Sequence, residues 1–357
     1  MSVPPSNTPV KVLIADDSAF MRAALARMIA SDRSLSVVGT AQTGLETLEK
    51  ISQLQPDVVT LDIEMPGLSG LETLKRIMSE SPRPVIMVSS LTQKDAETTL
   101  DALELGAFDY ISKQLNYISF DIIKVQDELV GKVKAAARSG IKARNGDKKS
   151  QTQPNTATPT AARRVPAIVA IGTSTGGPKA LQEILPSLPG DLPVGLLVVQ
   201  HMPLGFTGPF AQRLDSLCQL AVHEAEQGMV IKPGHVYVAA AGRHMTVRCR
   251  ASEAYLQVSV TPGNMQHMPS VDVMMLSVAE AFHSLAMGII MTGMGADGTL
   301  GMQAIFQEGG LTVGQDEATC AVYGMPRSCA EIGILRRVVA LSEIPRQILA
   351  AVGYQAH

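Results

Sequence analysis

Apolar residues in this chain gather into short runs separated by amphipathic stretches, and the alternation recurs on both sides of one polar gap. Before the gap, Val10–Ala15, Ser36–Gly39, Val58–Leu61, Val85–Val88 and Tyr110–Ile111 are too short for helices and read as buried strands. Between them apolar positions return at helical spacing: Met21, Leu25, Met28 and Ile29 share one face, as do Ile118, Ile122, Val125, Leu129 and Val133. Such alternation predicts βαβ units, a parallel sheet and right-handed crossovers. Beyond the gap, strands are predicted at Ile168–Ile171, Gly195–Val199, Val236–Ala240 and Gly288–Met291, with helices at Ala180–Leu185, Phe210–Leu217 and Val271–Leu285. The fold class is therefore α/β twice over. An N-terminal doubly wound five-stranded parallel sheet precedes a C-terminal α/β domain whose mainly parallel sheet is flanked by helices.

The gap, SGIKARNGDKKSQTQPNTATPTAARRVP from Ser139 to Pro166, has almost no large apolar side chain. It cannot bury enough surface to offset its ordering entropy, so a flexible tether is expected at 138–165, joining domains 1–137 and 166–357.

Composition narrows the function. With 357 residues, 46% hydrophobic and 18% charged, the chain can build ordinary cores, which excludes disordered, collagen-like and disulfide-scaffold classes. Thirty Lys and Arg against 33 Asp and Glu leave no basic excess, and the C-terminal half lacks a basic recognition helix, so nucleic acid is not the expected partner. No apolar run reaches the roughly 18 residues that span a bilayer, and Met1 to Pro9 do not read as a secretory signal. The cysteines (Cys218, Cys249, Cys320, Cys329) form no CxxC pair, so reduced thiols and a cytoplasmic location are expected, with no insertion into membranes. Eighteen Met and no Trp predict an aliphatic, Met-filled core.

In open parallel sheets, ligands sit beyond the carboxyl ends of the strands. Asp16 and Asp17 follow the first predicted strand and Asp62 ends the third; Ser89 ends the fourth and Lys113 follows the fifth. Singly, each is an ordinary cap, turn or surface residue. Converging carboxylates, however, repel one another unless a cation joins them. Mg²⁺ suits such an oxygen-rich site, and a carboxylate beside it can take a phosphoryl group. IADDS, LDIEMPGLSG, VSS and SK, in that order, resemble the receiver domain of two-component response regulators. That resemblance implies a flavodoxin-like fold with Asp62 as the phosphorylated residue. Asp16, Asp17, Asp62 and the main-chain carbonyl of Glu64 would hold Mg²⁺, Ser89 would bond the phosphoryl group, and Lys113 would neutralise it. One departure stands out: Gln114 replaces the family's usual Pro after the lysine.

In the second half, the strand IVAI runs into Gly172-Thr173-Ser174-Thr175-Gly176-Gly177-Pro178. Read alone, this turn is compatible with helix capping, phosphate binding or an exposed nucleophile. His201 follows the next strand, and Asp297 sits in a Gly-rich turn beyond another. Their bland readings are a packing residue and an N-cap. Together they supply the hydroxyl, imidazole and carboxylate of serine-type acyl transfer.

GTSTGGP, QHMP, PSVDVMM, MTGMGADG and QDEATCAVYGMP, in this order behind a receiver, resemble chemotaxis protein-glutamate methylesterases. The resemblance implies Ser174 as nucleophile, His201 as general base and Asp297 as its orienter, with backbone N–H groups near Thr175 and Met294 holding the oxyanion. The implied substrate is a glutamate γ-methyl ester of a chemoreceptor, with deamidation of receptor glutamines as a second activity, and this step requires no cofactor. The implied phosphodonor is a chemotaxis histidine kinase, whose action on Asp62 activates the esterase. His267 is expected to line the crevice. The alternative is a C-terminal module that binds a nucleotide or protein without hydrolysis.

Overall fold

Strands covered by helices on both faces must be apolar along their whole length, and both halves of the protein are built on such strands. The structure is a computed structural model that describes residues 8–90, 92–113, 119–144, 165–250, 253–263 and 265–355. It divides into two units, 1–148 and 149–357.

The first unit carries β1 (Val10–Ala15), α1 (Ala19–Ala30), β2 (Leu35–Ala41), α2 (Gly44–Leu54), β3 (Val58–Asp62), α3 (Gly70–Glu80), β4 (Val85–Ser89), α4 (Gln93–Glu104), β5 (Asp109–Ser112) and α5 (Ser119–Arg144). The sheet order is β2-β1-β3-β4-β5, every pairing parallel. Polar caps turn strand into helix. Ser18, Thr43, Ser69 and Thr92 each accept the N–H three residues on, and Ser69 with Glu72 forms a full capping box. The predicted apolar faces of α1 and α5 meet over β1, β3 and β4, with Leu25, Ile29, Leu129 and Val133 in one core. Ile118 lies outside the described residues, as does the side chain of Ile122.

One expectation needs correction. Helix α5 runs to Arg144, so 138–144 are helical and do not belong to the tether. No proline interrupts this stretch, and Lys142, Ala143 and Arg144 propagate a helix already nucleated by the packed turns before them. Residues 145–164 lie outside the described residues.

The second unit carries β6 (Ile168–Thr173), α6 (Gly177–Ile184), β7 (Gly195–Gln200), α7 (Thr207–Leu217), β8 (Ala221–Glu224), β9 (His235–Val238), β10 (His244–Arg250), β11 (Glu253–Ser259), α8 (Val271–Phe282), β12 (Ala286–Ile290), α9 (Thr299–Gln307), β13 (Leu311–Gln315), α10 (Met325–Glu331), β14 (Arg337–Val339) and α11 (Ile344–Val352). Its sheet, β14-β13-β12-β6-β7-β9-β8, is parallel throughout, and β10 with β11 forms a separate antiparallel hairpin. Met274, Met275, Met302 and Met325 are fully buried beside Val271 and Val278, giving the aliphatic, methionine-filled core expected. Helix α8 ends at Phe282, short of the predicted Leu285; a single 3₁₀ turn occupies 283–285.

The sheet grows outward from β6 in both directions, through β7 on one side and β12 on the other. The strand order reverses there, which opens a crevice at the carboxyl ends of these central strands. Among the described residues no helix is long and apolar enough to cross a membrane.

Close backbone approach fixes one glycine. A Cβ on Gly70, at the start of α3, would lie 1.9 Å from the carbonyl oxygen of Asp62. Gly70→Ala is expected to destabilise the first unit by roughly 2–3 kcal/mol, read as a lower midpoint for that unit in denaturant unfolding of the full chain. An unchanged midpoint would contradict the contact.

Candidate functional site

Both units carry chemistry at the carboxyl ends of their strands. In the first, Asp16 and Asp62 are buried and Asp17 is exposed, and one carboxylate oxygen from each lies within 4.8 Å of the others. Lys113 Nζ reaches Asp62 Oδ2 at 2.7 Å and Asp16 Oδ2 at 3.3 Å. Burial pushes the Asp62 carboxyl up to about 6; the Lys113 hydrogen bond opposes this and the Asp16 charge adds to it. The Lys113 ammonium is itself favoured, because its two carboxylate partners outweigh the burial that works against it.

Glu64 lies two residues beyond Asp62, and its N–H donates to Asp62 Oδ1 at 3.3 Å. Its carbonyl accepts no hydrogen bond among the described residues. Ser89 is fully buried, but its hydroxyl is not bonded to this acidic group. It donates to Ser90 O at 3.0 Å and accepts from Thr99 Oγ1 at 2.8 Å. Gln114 lies outside the described residues.

In the second unit, register brings the predicted residues together. Thr173 pairs with Gln200 across β6 and β7, so Ser174 and His201 leave adjacent strand ends, and His201 N–H donates to Thr173 O at 3.2 Å. Asp297 arrives from the other flank, in the loop after β12, which pairs with β6 through Ile290 and Gly172. His201 Nε2 bonds Asp297 Oδ2 at 2.8 Å, with each side chain only 10% exposed.

Asp297 accepts three further hydrogen bonds: from Ser270 Oγ at 2.8 Å, Val271 N–H at 2.7 Å and Asp272 N–H at 3.0 Å. These donors form the N-terminus of α8, whose dipole favours an anion. Burial works against the charge, yet the His201 bond and the helix N–H groups outweigh it, and the Asp297 carboxyl falls well below the usual carboxylate range. The ionised carboxylate is therefore the favoured form.

The other ring nitrogen, His201 Nδ1, is buried and makes no hydrogen bond among the described residues. The His267 ring stacks on His201 with centroids 4.1 Å apart and planes 15° apart. His267 also lines a cavity of about 390 Å³ together with Asp297, Asp272, Met265, Thr299 and Leu300. The position expected for it is thus the one observed. Ser174 is half-buried, and its hydroxyl makes no hydrogen bond among the described residues. Its main chain is fixed on both sides, with its N–H donating to Thr292 O at 3.0 Å and its carbonyl accepting from Gln200 Nε2 at 3.0 Å. The main-chain N–H groups of Thr175 and Met294 also donate to no acceptor among the described residues. Gly176, at φ +75°, caps α6 where a Cβ would lie 2.5 Å from that of Ala321.

Five contributors escaped the sequence reading. Ser270 and the N–H groups of Val271 and Asp272 hold the carboxylate, and Gln200 and Thr292 hold the Ser174 loop. A signal for Ser270 did exist: a serine immediately before an apolar periodic run is an N-cap pattern, and Ser270 does cap α8. Nothing in the sequence says which distant carboxylate that helix end receives.

A family model described as CheB methylesterase matches residues 169–348, and one described as response regulator receiver domain matches residues 12–120. Among curated proteins, protein-glutamate methylesterase/protein-glutamine glutaminase 1 of Oleidesulfovibrio alaskensis is 44% identical, covering 96% of this chain and 99% of the relative. A relative in Symbiobacterium thermophilum, named protein-glutamate methylesterase/protein-glutamine glutaminase, is 46% identical, covering 97% and 98%. The solved Thermotoga maritima CheB methylesterase catalytic domain is 39% identical with a TM-score of 0.51, covering 52% of this chain and 98% of that structure.

The raised Asp62 carboxyl has a pH signature. Its protonated form is favoured in the folded chain, so its contribution to stability is fullest below about pH 4 and is lost as pH rises through about 6. Asp62→Asn is therefore expected to raise the unfolding temperature of the first unit by about 5 °C at pH 7.5 in chelator, with the gain vanishing near pH 4. Calorimetry at the two pH values checks this, and an equal gain at both would refute it. In the second unit a Cβ on Gly293 would lie 2.9 Å from Ser174 Cβ and 2.2 Å from Met325 Sδ. Gly293→Ala should cut ester hydrolysis at least tenfold, by displacing the Ser174 side chain about 1 Å.

Proposed function

The chain belongs to the CheB methylesterase family, as a protein-glutamate methylesterase and protein-glutamine glutaminase with a receiver domain, and we propose that Ser174, His201 and Asp297 carry its hydrolysis. The supporting observation is the buried His201–Asp297 bond at 2.8 Å. It fixes the tautomer: Nε2 keeps its proton for the carboxylate, and the lone pair stays on Nδ1.

In this reading Nδ1, which has no partner among the described residues, takes the Ser174 proton as Oγ attacks the carbonyl carbon of a glutamate γ-methyl ester. The negative charge that develops on the carbonyl oxygen falls to the N–H groups of Thr175 and Met294. His201, now an imidazolium beside the Asp297 carboxylate, returns the proton to the departing methanol. Water then attacks the glutamyl ester of Ser174 by the same route in reverse, leaving a carboxylate on the substrate. For a glutamine substrate the leaving group is ammonia, and the proton transfers are the same. The hydrogen bond between Ser174 and Nδ1, open in this structure, closes when substrate fills the crevice; loosened geometry of this kind is common in free enzymes.

In the receiver, Asp62 accepts the phosphoryl group from a chemotaxis histidine kinase, and this activates the esterase toward chemoreceptors. Three carboxylate oxygens gathered within 4.8 Å fit a hard cation. Asp16, Asp17, Asp62 and the Glu64 carbonyl are the groups that would hold Mg²⁺, which when bound supplies positive charge to the incoming phosphoryl oxygens. Lys113 already contacts both buried carboxylates and adds its own charge. The Ser89 hydroxyl must leave Ser90 O to bond the phosphoryl group, and that rotation is the local event phosphorylation would drive. Shifting a mostly inactive ensemble to a mostly active one requires about 3–5 kcal/mol.

Methanol release from radiomethylated receptor membranes, with and without a small-molecule acyl phosphate and Mg²⁺, tests both parts. Ser174→Ala should lower turnover by roughly 10⁴-fold or more, and Asp297→Asn by roughly 10²–10⁴-fold. Asp62→Asn should keep basal turnover and lose the response to the phosphodonor. Hydrolysis surviving in Ser174→Ala would end the serine reading, and a phosphodonor response surviving in Asp62→Asn would end the other.

A further inference from the structure

Asp272 is buried in the catalytic unit, and its carboxyl has no part in the hydrolysis described above. We propose that it is the positioning residue for Asp297: α8 and α9 exchange caps, each helix start being held by a carboxylate from the other, and this exchange fixes Asp297 against His201. The inference rests on the reading of Ser174, His201 and Asp297 as the hydrolytic residues.

The exchange is visible in the hydrogen bonds. Asp297, just ahead of α9, accepts from Ser270 Oγ, Val271 N–H and Asp272 N–H at the start of α8. Asp272, in the first turn of α8, accepts at 2.8 Å from the N–H of Gly301 in the first turn of α9. Helix α9 has no acid in its own first turn, and its N-cap, Gly298, has no side chain to offer. Asp272 supplies the missing acceptor.

Packing makes the exchange possible. A Cβ on Gly301 would lie 2.4 Å from Met275 Cβ, and one on Gly298 would lie 2.8 Å from Val271 Cγ1. Only glycines let the two helix starts approach this closely. The loop that carries Asp297 contains Gly293, Gly295 and Gly298, so its own backbone preferences define no single position for the carboxylate. Its position is set by its two ends, β12 and the capped start of α9. Burial chiefly, and the Asp297 charge in addition, push the Asp272 carboxyl upward, while the N–H groups of α9 oppose this. The two carboxylates thus stay close because each sits on the positive end of the other's helix.

The test uses the full-length chain, activated by an acyl phosphate, with kcat and KM for ester hydrolysis measured alongside the low-field proton NMR signal of His201 Nε2–H. Asp272→Ala should lower kcat about 10–100-fold, leave KM within about twofold and lose the low-field signal. Asp272→Asn keeps a capping oxygen and should hold kcat within about threefold with the signal intact. A full kcat in Asp272→Ala would overturn the proposal, as would a rise in KM at constant kcat, which would mark a direct substrate contact through the cavity. Equal losses in both variants would also overturn it. Should Asp272→Ala not fold, Asp272→Asn decides alone, since a tenfold loss of kcat there contradicts positioning by hydrogen bonds. Ser174→Ala and Asp297→Asn measured in parallel separate the premises, because activity surviving in them would remove the hydrolytic reading itself.

Discussion

The catalytic unit depends on an anion kept out of water. Moving a carboxylate into a protein interior costs several kcal/mol unless charge and hydrogen bonds compensate. Around Asp297 that compensation has a fixed direction: two N–H groups and one hydroxyl from the start of α8, and the imidazole of His201. With every acceptor site engaged, the carboxylate has no low-energy alternative position, and the imidazole bonded to it has none either. The orientation of His201 is thus a by-product of solving the burial problem of its partner. The same logic explains the chain of buried polar groups behind it. Ser270 N–H donates to His244 Nδ1, and His244 is itself fully buried, with Nε2 on Pro262 O.

The two units meet one electrostatic difficulty with different solutions. Parallel strands end on the same edge, so polar residues that follow them converge. In the receiver Asp16 and Asp62 share one ammonium, Lys113, and the balance stays unfavourable enough to hold the Asp62 carboxyl up to about 6. That site remains short of positive charge, which suits it to a cation. Asp297 and Asp272 are instead neutralised within the fold by helix starts. A site that must accept a charged group keeps its deficit, and a site that must hold one proton in place removes it.

Much of this was legible in the sequence, and the limits have physical causes. The central strands were readable because burial on both faces makes them uniformly apolar, and their ends then located Asp62, Ser174 and His201. Strand β14, with only three residues, and the hairpin β10–β11, where Arg248, Arg250 and Gln257 interrupt the apolar pattern, give no such signal. The last turns of α5 were misread because linker composition says little about whether a helix already under way will stop. Side-chain bonds such as Gly301 to Asp272 join residues 29 apart in the chain. Pattern reading along a sequence sees caps and faces, but it does not see which helix start lies opposite which carboxylate.

Strand order also bears on which imidazole nitrogen meets the carboxylate. Strand β6 lies between β7 and β12, so His201 and Asp297 stand on opposite flanks of the strand that delivers Ser174. Neighbouring strands are about 4.8 Å apart, and β7 to β12 is therefore about 9–10 Å. Only the far nitrogen, Nε2, extends enough from the backbone of His201 to meet a carboxylate brought in by the loop after β12. Nδ1, one bond closer to the backbone, is left buried and unbonded among the described residues. A sheet with β6 at its edge would place His201 and Asp297 side by side and would release this constraint. With β6 in the middle, the imidazole reaches toward a carboxylate two strand spacings away, and Nε2 is the nitrogen that meets it.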